Sequence, residues 1–341
     1  MSIKDLSRRD FIRSLATGAA AGILLPSVLR PKGAGALAAE AAPAKSRIVI
    51  ATSDSVKTLA KDALGPKVKE IFDKALLAYT GKEDAKAAWG EIVKPGEKIG
   101  LQVNGCHSRA EGPTKLELLN HVIESLVAAG IPGQNLVVIE RDSNQLDGNG
   151  WFTADYVKTP GVRFWCHTSD GGGEGDYRRS ASNFSEKEYP LGTAKTRVAK
   201  IFDEIDGYIQ FPHLRPHLLG FHFSGAMKLH QGAHMLPEAI HGQWALLADL
   251  NKIPVLKDKL RLIVYDGINR SGYNGLFLGK DGLALDNQAW KLLKGKTTGG
   301  KSKALRLKAK DPMELWMKPC EKAGLGTLDP ALTELIAVKV P

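Results

Sequence analysis

A strand, a helix and a second strand follow one another between Lys98 and Glu140, and this order most constrains the fold. Residues 98–103 are β-rich and end at Asn104-Gly105, and residues 136–140 are an apolar run typical of a buried strand. Between them one helical face carries Leu116, Leu119, Val122, Ile123, Leu126 and Val127. Thr114 and Glu117 have the spacing of a capping box at its start. The sequence therefore predicts a right-handed βαβ unit and a parallel sheet.

The rest of the chain continues this alternation. Residues 47–51, 205–211 and 261–264 are candidate strands, and residues 56–79 are a helical region that Gly65-Pro66 is expected to interrupt. The periodicity fades over about 142–197, which we interpret as an irregular insertion or lid that carries short strands such as 162–166. We predict an α/β fold, a mostly parallel sheet with flanking helices and this insertion in the middle. Residues 39–341 would form a single domain with a core at about 98–279.

The N-terminus has the pattern of a twin-arginine signal. Arg8-Arg9 is followed by Phe11, Ile12 and Arg13, then by a mildly apolar, Ala- and Gly-rich run that is too short to span a bilayer. Ala36-Leu37-Ala38 offers a small-x-small cleavage site. The alternative, an amphipathic helix, is unfavourable because residues 19–29 lack a polar face. We expect residues 1–38 to direct export by the twin-arginine translocase to a periplasmic or extracytoplasmic location.

Charge and hydropathy exclude several classes of function. Residues 1–38 contain six basic and two acidic residues, so removing them lowers the formal charge from +10 to +6. The remaining excess is concentrated at 291–310, which is typical of a solvated loop, so we expect no nucleic-acid partner. No later stretch is apolar and long enough for a membrane span. Cys106, Cys166 and Cys320 are too dispersed for an iron–sulfur cluster. The sequence does not decide whether two of them form a disulfide.

Six of the nine histidines cluster directly after the 205–211 strand: His213, His217, His222, His230, His234 and His241. Loops beyond the carboxyl ends of strands form the ligand crevice of open α/β sheets. Imidazole both ligates transition metals and exchanges protons near neutral pH, so the cluster favours a metal or an acid/base role. Any one of these histidines alone is more simply explained by packing. His230 and His234 have i, i+4 spacing, with Gly232 between them and no zincin glutamate.

Several segments resemble domain-of-unknown-function family 362 in their order: Phe211-Pro212-His213-Leu214-Arg215-Pro216-His217, Ser224-Gly225-Ala226-Met227-Lys228, Ala248-Asp249-Leu250-Asn251 and Val264-Tyr265-Asp266-Gly267-Ile268. Gln102-Val103-Asn104 matches an earlier Lys-Pro-Asn strand of that family, and the resemblance covers roughly 98–279. Arg215 and Pro216 stand where the family usually has Lys and Thr. Members with an attached ferredoxin segment bind iron–sulfur clusters there, and this sequence has no such segment.

A second similarity is to the nickel-pincer-dependent lactate racemases, in which a Pro-His and a Phe-Ser-Gly-Gly-x-Lys hold the metal cofactor. Pro216-His217 and the segment from Phe223 to Lys228 are similar to these motifs. The nucleotide-binding turn of that group is matched, with a shifted spacing and without its leading aspartate, by residues 106–113. Independently, Ser108 and Arg109 in a turn before a helix suit an anionic group.

Two functions are consistent with these residues. The first is an enzyme that acts on a small carboxylate- or phosphate-bearing molecule, with His217, Lys228 and Asp266 as catalytic residues and Asn104, Ser108, Arg109 and Arg215 as anion ligands. It would use a transition metal held by His217, His230, His234 and His241, or acid/base catalysis without one. The second is an accessory protein that captures a metal or a small anion without turnover. Dinucleotide binding is disfavoured because no strand is followed by G-x-G-x-x-G.

Overall fold

The structure of the protein is a computed structural model that describes residues 45–105, 114–146, 157–168, 181–215, 223, 225–240, 243–294 and 311–341. The strands are β1 (Ser46–Thr52), β2 (Ile99–Gln102), β3 (Leu136–Asp142), β4 (Arg163–Thr168), β5 (Phe184–Leu191), β6 (Ala194–Ala199), β7 (Gly207–Gln210), β8 (Leu260–Asp266), β9 (Gly275–Gly279) and β10 (Thr333–Lys339).

The α-helices are α1 (Lys61–Thr80), α2 (Ala85–Gly90), α3 (Leu116–Ala128), α4 (Ser143–Leu146), α5 (Ile201–Glu204), α6 (Ala226–Leu229), α7 (Pro237–Ile240), α8 (Leu246–Asn251), α9 (Pro254–Lys257), α10 (Gly282–Leu293) and α11 (Lys318–Lys322). The region expected to be broken at Gly65-Pro66 is one helix, α1, with Pro66 inside it. That interruption is wrong, because a proline near a helix start removes only one backbone hydrogen bond.

One eight-stranded sheet organises the molecule, in the order β10-β1-β9-β8-β7-β2-β3-β4. Neighbouring strands are parallel except at β9, which is antiparallel to both β1 and β8. Strand β2 pairs in parallel with β3, Ile99 opposite Leu136, and α3 connects them. The predicted βαβ unit and the mostly parallel α/β fold are therefore confirmed.

The core lies on both faces of this sheet, because side chains alternate along each strand. In β8, Leu262 and Val264 pack with α1, α2 and α3 on one face, while Ile263 and Tyr265 pack with α6, α8 and α10 on the other. The two described cysteines are divided in the same way, since Cys166 belongs to the first face and Cys320 to the second. These two cysteines therefore do not bond to each other.

The strand order places a topological switch between β2 and β7. From β2 the chain proceeds outward through β3 to β4, whereas from β7 it proceeds the other way to β8. In open α/β sheets, the helices on the two sides of such a point diverge and leave a crevice at the carboxyl ends of the strands. The residues that follow Gln102 and Gln210 therefore lie where a ligand site is expected.

The region interpreted as an insertion, about 142–197, contains two kinds of structure in its described parts. Strand β4 joins the main sheet at its edge beside β3, and β5 pairs with β6 as a separate antiparallel sheet. Across the described parts of the chain, no helix combines the length and apolar character needed to cross a membrane.

Candidate active site at the carboxyl edge of the sheet

The segments after β2, β7 and β8 meet at the switch point. Asp266 is the last residue of β8, and the chain leaving β7 continues beside it: the amide of Asp266 donates to Pro212 O at 2.8 Å, and the amide of Leu214 donates to Asp266 O at 2.9 Å. These two bonds place His213 opposite Asp266. A histidine after one parallel strand is thus held next to a carboxylate at the end of another.

The residue after β2 is joined to His213 through a threonine. The amide of Asn104 donates to Thr114 Oγ1 at 3.0 Å, and the same hydroxyl lies 3.0 Å from His213 Nε2. Thr114 and His213 are both buried. The hydroxyl of Thr114 was expected to cap α3, but that helix begins at Leu116 with no side-chain cap, so the capping box is wrong. Thr114 instead links Asn104 to the imidazole.

Asp266 is held by three donors. Its Oδ2 accepts from Arg270 Nη2 at 2.7 Å and from the amide of Lys115 at 3.2 Å, and its Oδ1 accepts from the amide of Ile268 at 3.1 Å. Both side chains of the Arg270–Asp266 ion pair are fully buried. The carboxylate is therefore fixed in one orientation and ties α3 to the end of β8.

The imidazole of His213 is kept neutral by its surroundings. Burial lowers its pKa well below the usual value, and the charges of Arg270, Arg215 and Lys115 lower this pKa further. The ring is completely buried, and its Nδ1 has no hydrogen-bond partner among the described residues. A neutral imidazole with one uncommitted ring nitrogen can form one further hydrogen bond to a ligand, while the lowered pKa opposes its protonation near neutral pH.

Arg215 is the second uncommitted group. Only 7% of the residue is exposed, and no described residue forms an ion pair with its side chain or accepts a hydrogen bond from it. A guanidinium group without a carboxylate partner presents a planar set of donors that suits a carboxylate or phosphate. With Lys115 and the Arg270–Asp266 pair, the surroundings of His213 carry more positive than negative charge.

A further carboxyl group lies one strand away, on β3. Glu140 Oε2 accepts from the amide of Gly105 at 2.5 Å, and its Oε1 accepts from the amide of Arg141 at 2.7 Å. Burial raises the pKa of Glu140 to about 7, although the two backbone bonds oppose this shift. Glu140 therefore holds the chain that leaves β2 and exchanges a proton in the neutral range.

Lys228 lies on α6, whose start is fixed by an aspartate from α10. Asp286 accepts from the amides of Ala226 and Met227 at 2.7 and 3.0 Å. A Cβ atom on Gly225 would lie 2.3 Å from Asp286 Oδ1, so only glycine fits there. The glycine in Ser224-Gly225-x-x-Lys228 is thus explained by this carboxylate.

The two histidines at i, i+4 spacing point to separate partners. His230 Nδ1 lies 2.6 Å from Asn251 Oδ1 and its Nε2 lies 2.6 Å from Tyr208 Oη, whereas His234 Nδ1 lies 3.0 Å from Thr196 Oγ1. His230 is in a 3-10 turn that ends before His234. Within the described ranges, no three His, Cys, Asp or Glu side chains are grouped to hold a metal ion.

Four residues of the predicted site, Ser108, Arg109, His217 and His241, lie outside the described residues. The structure brings Asn104, Arg215 and Asp266 together at the switch point. Sequence reasoning did not single out Thr114, His213 and Arg270 as site residues. His213 was visible as the first histidine after a strand end, but only tertiary structure identifies Thr114 and Arg270 as its neighbours.

Comparison with known proteins identifies the family. The sequence profile of a domain of unknown function, DUF362, matches residues 99–289, which is more than half of the chain. The chain belongs to DUF362. The match contains every residue of the switch-point site described above, from Asn104 to Arg270. No curated protein matches the chain.

Solved structures similar to this DUF362 protein are distant. A crystal structure of a protein from Thermotoga maritima is 10% identical, with a TM-score of 0.40, and the match covers 68% of this chain and 59% of that one. The lactate racemase apoprotein from Thermoanaerobacterium thermosaccharolyticum is 13% identical, with a TM-score of 0.37, and the match covers 73% of this chain and 57% of that one. The matches span less than two thirds of either structure.

Proposed function

We propose that the carboxyl edge of the sheet at the β2/β7 switch binds a small carboxylate- or phosphate-bearing molecule and that the protein is an enzyme acting on it. The observation that supports this most is Arg215, a residue only 7% exposed whose guanidinium group has no carboxylate partner among the described residues. Arg215 lies two residues after His213, whose Nδ1 has no hydrogen-bond partner among the described residues. A bidentate anion would satisfy the guanidinium.

In this proposal each group has a distinct role. Arg215 binds the anion, and the ring of His213, which its lowered pKa keeps neutral, forms a hydrogen bond to the substrate through Nδ1. Thr114 orients the ring by holding Nε2, and Asp266 with Arg270 fixes the strand end beside it. Lys228, His217, Ser108 and Arg109 stay candidates for further contacts with the substrate.

Anion binding can be tested with inorganic phosphate and with succinate by isothermal titration calorimetry. We expect Arg215→Ala to weaken binding of the accepted anion at least about tenfold, since it removes a charge-assisted bond, and Arg215→Lys to retain part of the affinity. Arg163→Ala is the matched control, because Arg163 is exposed at the start of β4. Equal affinities for the Arg215→Ala and Arg163→Ala proteins would refute the anion site.

Turnover separates an enzyme from a carrier. Small carboxylates and phosphate esters can be incubated with the protein in deuterated water and followed by proton NMR, which detects both new products and exchange of carbon-bound protons. We expect wild type to change at least one compound that it binds, and His213→Asn to bind it without changing it. A wild-type protein that binds but changes none would favour the accessory role.

We also propose that a transition metal is a candidate cofactor, with His217 and His241 as the first ligands to vary. His230 is a weaker candidate because both of its ring nitrogens are hydrogen-bonded within the protein. Elemental analysis of natively produced protein for nickel, zinc, iron and copper tests this. A stoichiometric metal that is lost in His217→Ala supports the proposal, and absence of all four metals refutes it.

We also propose that the protein is exported by the twin-arginine translocase. Arg8-Arg9 and the apolar run after it support recognition of residues 1–38 by the twin-arginine translocase. A fusion of these residues to a fluorescent protein that folds before export should accumulate in the periplasm. Replacing both arginines with lysine should retain the fusion in the cytoplasm, and unchanged export of this variant would contradict the proposal.

A further inference from the structure

A cavity of about 630 Å³ lies on the face of the sheet covered by α6, α8 and α10, and it opens toward the amino ends of the parallel strands. Its mouth includes Ser46, where β1 begins, and Leu260, where β8 begins. Neither His213 nor Arg215 lines it. The cavity is therefore separate from the proposed active site, and its volume suits a small organic molecule.

The mouth of the cavity is basic. Lys45, Lys257 and Lys280 line it, are exposed, and form no ion pair among the described residues. Of the two aspartates there, Asp281 is engaged, because its Oδ2 accepts from Ser46 Oγ and the amide of Thr327, and Asp258 is exposed, so three lysines outnumber one available carboxylate. Three lysines that converge on one opening attract an anionic group.

The walls below the mouth are largely apolar. They include Met227 from α6, Ile263 from β8, Leu260 and Leu325. An apolar wall beneath a basic mouth is complementary to an amphiphilic anion, whose acid group stays at the lysines while its hydrocarbon part is removed from water.

Two of the three polar residues at the inner end have their hydrogen bonds completed by the protein. Asn251 Nδ2 donates to Met227 O and Leu247 O, both at 2.9 Å, so Asn251 Oδ1 faces His230 Nδ1. His230 Nε2 is in turn bonded to Tyr208 Oη. Tyr208 Oη also donates to Leu256 O at 2.6 Å. Both ring nitrogens of His230 therefore have partners within the protein, and neither Asn251 nor His230 needs a ligand.

The third polar residue, Gln210, lacks a partner. Its Nε2 donates to Gln102 Oε1 at 3.1 Å, but its Oε1 is buried and has no hydrogen-bond partner among the described residues. Gln210 is completely buried and lines the cavity. A buried carbonyl oxygen left without a donor is costly, and a hydroxyl or amide on a ligand would remove that cost.

From these observations we propose a second ligand site, in which the cavity binds an amphiphilic organic acid. The acid group lies among Lys45, Lys257 and Lys280, the apolar body contacts Met227 and Ile263, and a donor at the far end reaches Gln210. This site is independent of the anion site at Arg215 and does not rest on the proposed reaction.

The test uses calorimetric titration of the full chain with two probes, decanoate and 10-hydroxydecanoate, and with decanol as the uncharged comparison. We expect saturable one-to-one binding of decanoate, tighter binding of the hydroxy acid by about threefold to tenfold, and weaker binding of decanol. Lys257→Glu/Lys280→Glu should weaken decanoate binding at least about tenfold, because two attractive charges become repulsive.

The matched control is Lys69→Glu/Lys158→Glu, which makes the same change of charge at two exposed lysines that do not line the cavity. It should bind decanoate like wild type. Gln210→Leu should remove the advantage of the hydroxy acid while retaining decanoate. Arg215→Ala should change neither affinity, which separates failure here from failure of the active-site proposal. No saturable binding by wild type, or equal losses in both lysine pairs, would overturn the second site.

Discussion

Arg270 Nη2 lies 2.7 Å from Asp266 Oδ2, and neither side chain has any exposed surface. Breaking such a pair leaves an uncompensated buried charge, which typically costs about 3–5 kcal/mol of unfolding free energy. We therefore expect Arg270→Ala to lower the free energy of unfolding by roughly that amount, measured by urea denaturation.

Arg47→Ala is the control for this measurement, because Arg47 pairs with Glu334 while both side chains are about two-fifths exposed. An exposed pair contributes about 0–1 kcal/mol, so the control should lose far less. Similar losses in the two variants would show that the Asp266 strand end does not depend on its ion pair.

The raised pKa of Glu140 should make the free energy of unfolding depend on pH, and this dependence can be assigned to Glu140 alone. Its pKa is raised from 4.5 to about 7, mainly by burial, so the folded state holds its proton more tightly than the unfolded state does. The stabilisation of the folded state by protonated Glu140 is therefore fully present below pH 4.5 and is lost as the pH rises through 7. Replacing it with glutamine, which stays neutral, should remove this loss.

The measurement is the difference in unfolding free energy between Glu140→Gln and wild type at pH 4.5 and at pH 8. We expect this difference to shift in favour of the variant by about 3 kcal/mol as the pH rises. Glu186→Gln, at an exposed position on β5, should show no such shift. A difference that is independent of pH would mean that Glu140 ionises normally.

Gly225 should not tolerate alanine. The added Cβ would lie 2.3 Å from Asp286 Oδ1, and Asp286 is buried and bonded to the first amides of α6, so it has no room to move. We expect Gly225→Ala to lower the unfolding free energy by about 2 kcal/mol or more and to displace Lys228. At Gly232 the nearest atom would be 3.6 Å from the new Cβ, and Gly232→Ala should change stability by less than about 1 kcal/mol.

The sequence predicted the fold where apolar periodicity determines it. Residues 98–103 and 136–140 correspond to β2 and β3, because a strand buried on both faces is a largely apolar run. The ends of elements were less predictable. Thr114 has the spacing of a helix cap, but His213, which is 99 residues away, competes for its hydroxyl. Tertiary contacts of this kind leave no trace in local sequence.

The positions of some candidate residues in the fold were predictable to a similar extent. Asn104, Arg215 and Asp266 each follow or end a strand, and the carboxyl ends of parallel strands meet at one edge, so a sequence pattern could identify them. The clustering of histidines was less informative, because His213, His230 and His234 contact different partners once the chain folds. The elements in this part of the chain are short and the chain turns after each of them. Histidines that are close in sequence therefore end in different environments.

The burial of His230 favours the neutral form of its imidazole ring. Burial lowers its pKa to about 4, although the bond to Asn251 opposes this shift. The folded pKa is below the unfolded value of about 6.5, so the stability of the neutral ring is present above pH 6.5 and is lost as the pH falls to 4. With histidine ¹³C-labelled at Cε1, the His230 signal, assigned with His230→Gln, should keep the neutral chemical shift at pH 5.5. In urea the same signal should titrate near pH 6.5, and a folded-state midpoint above pH 6 would contradict the buried, neutral ring.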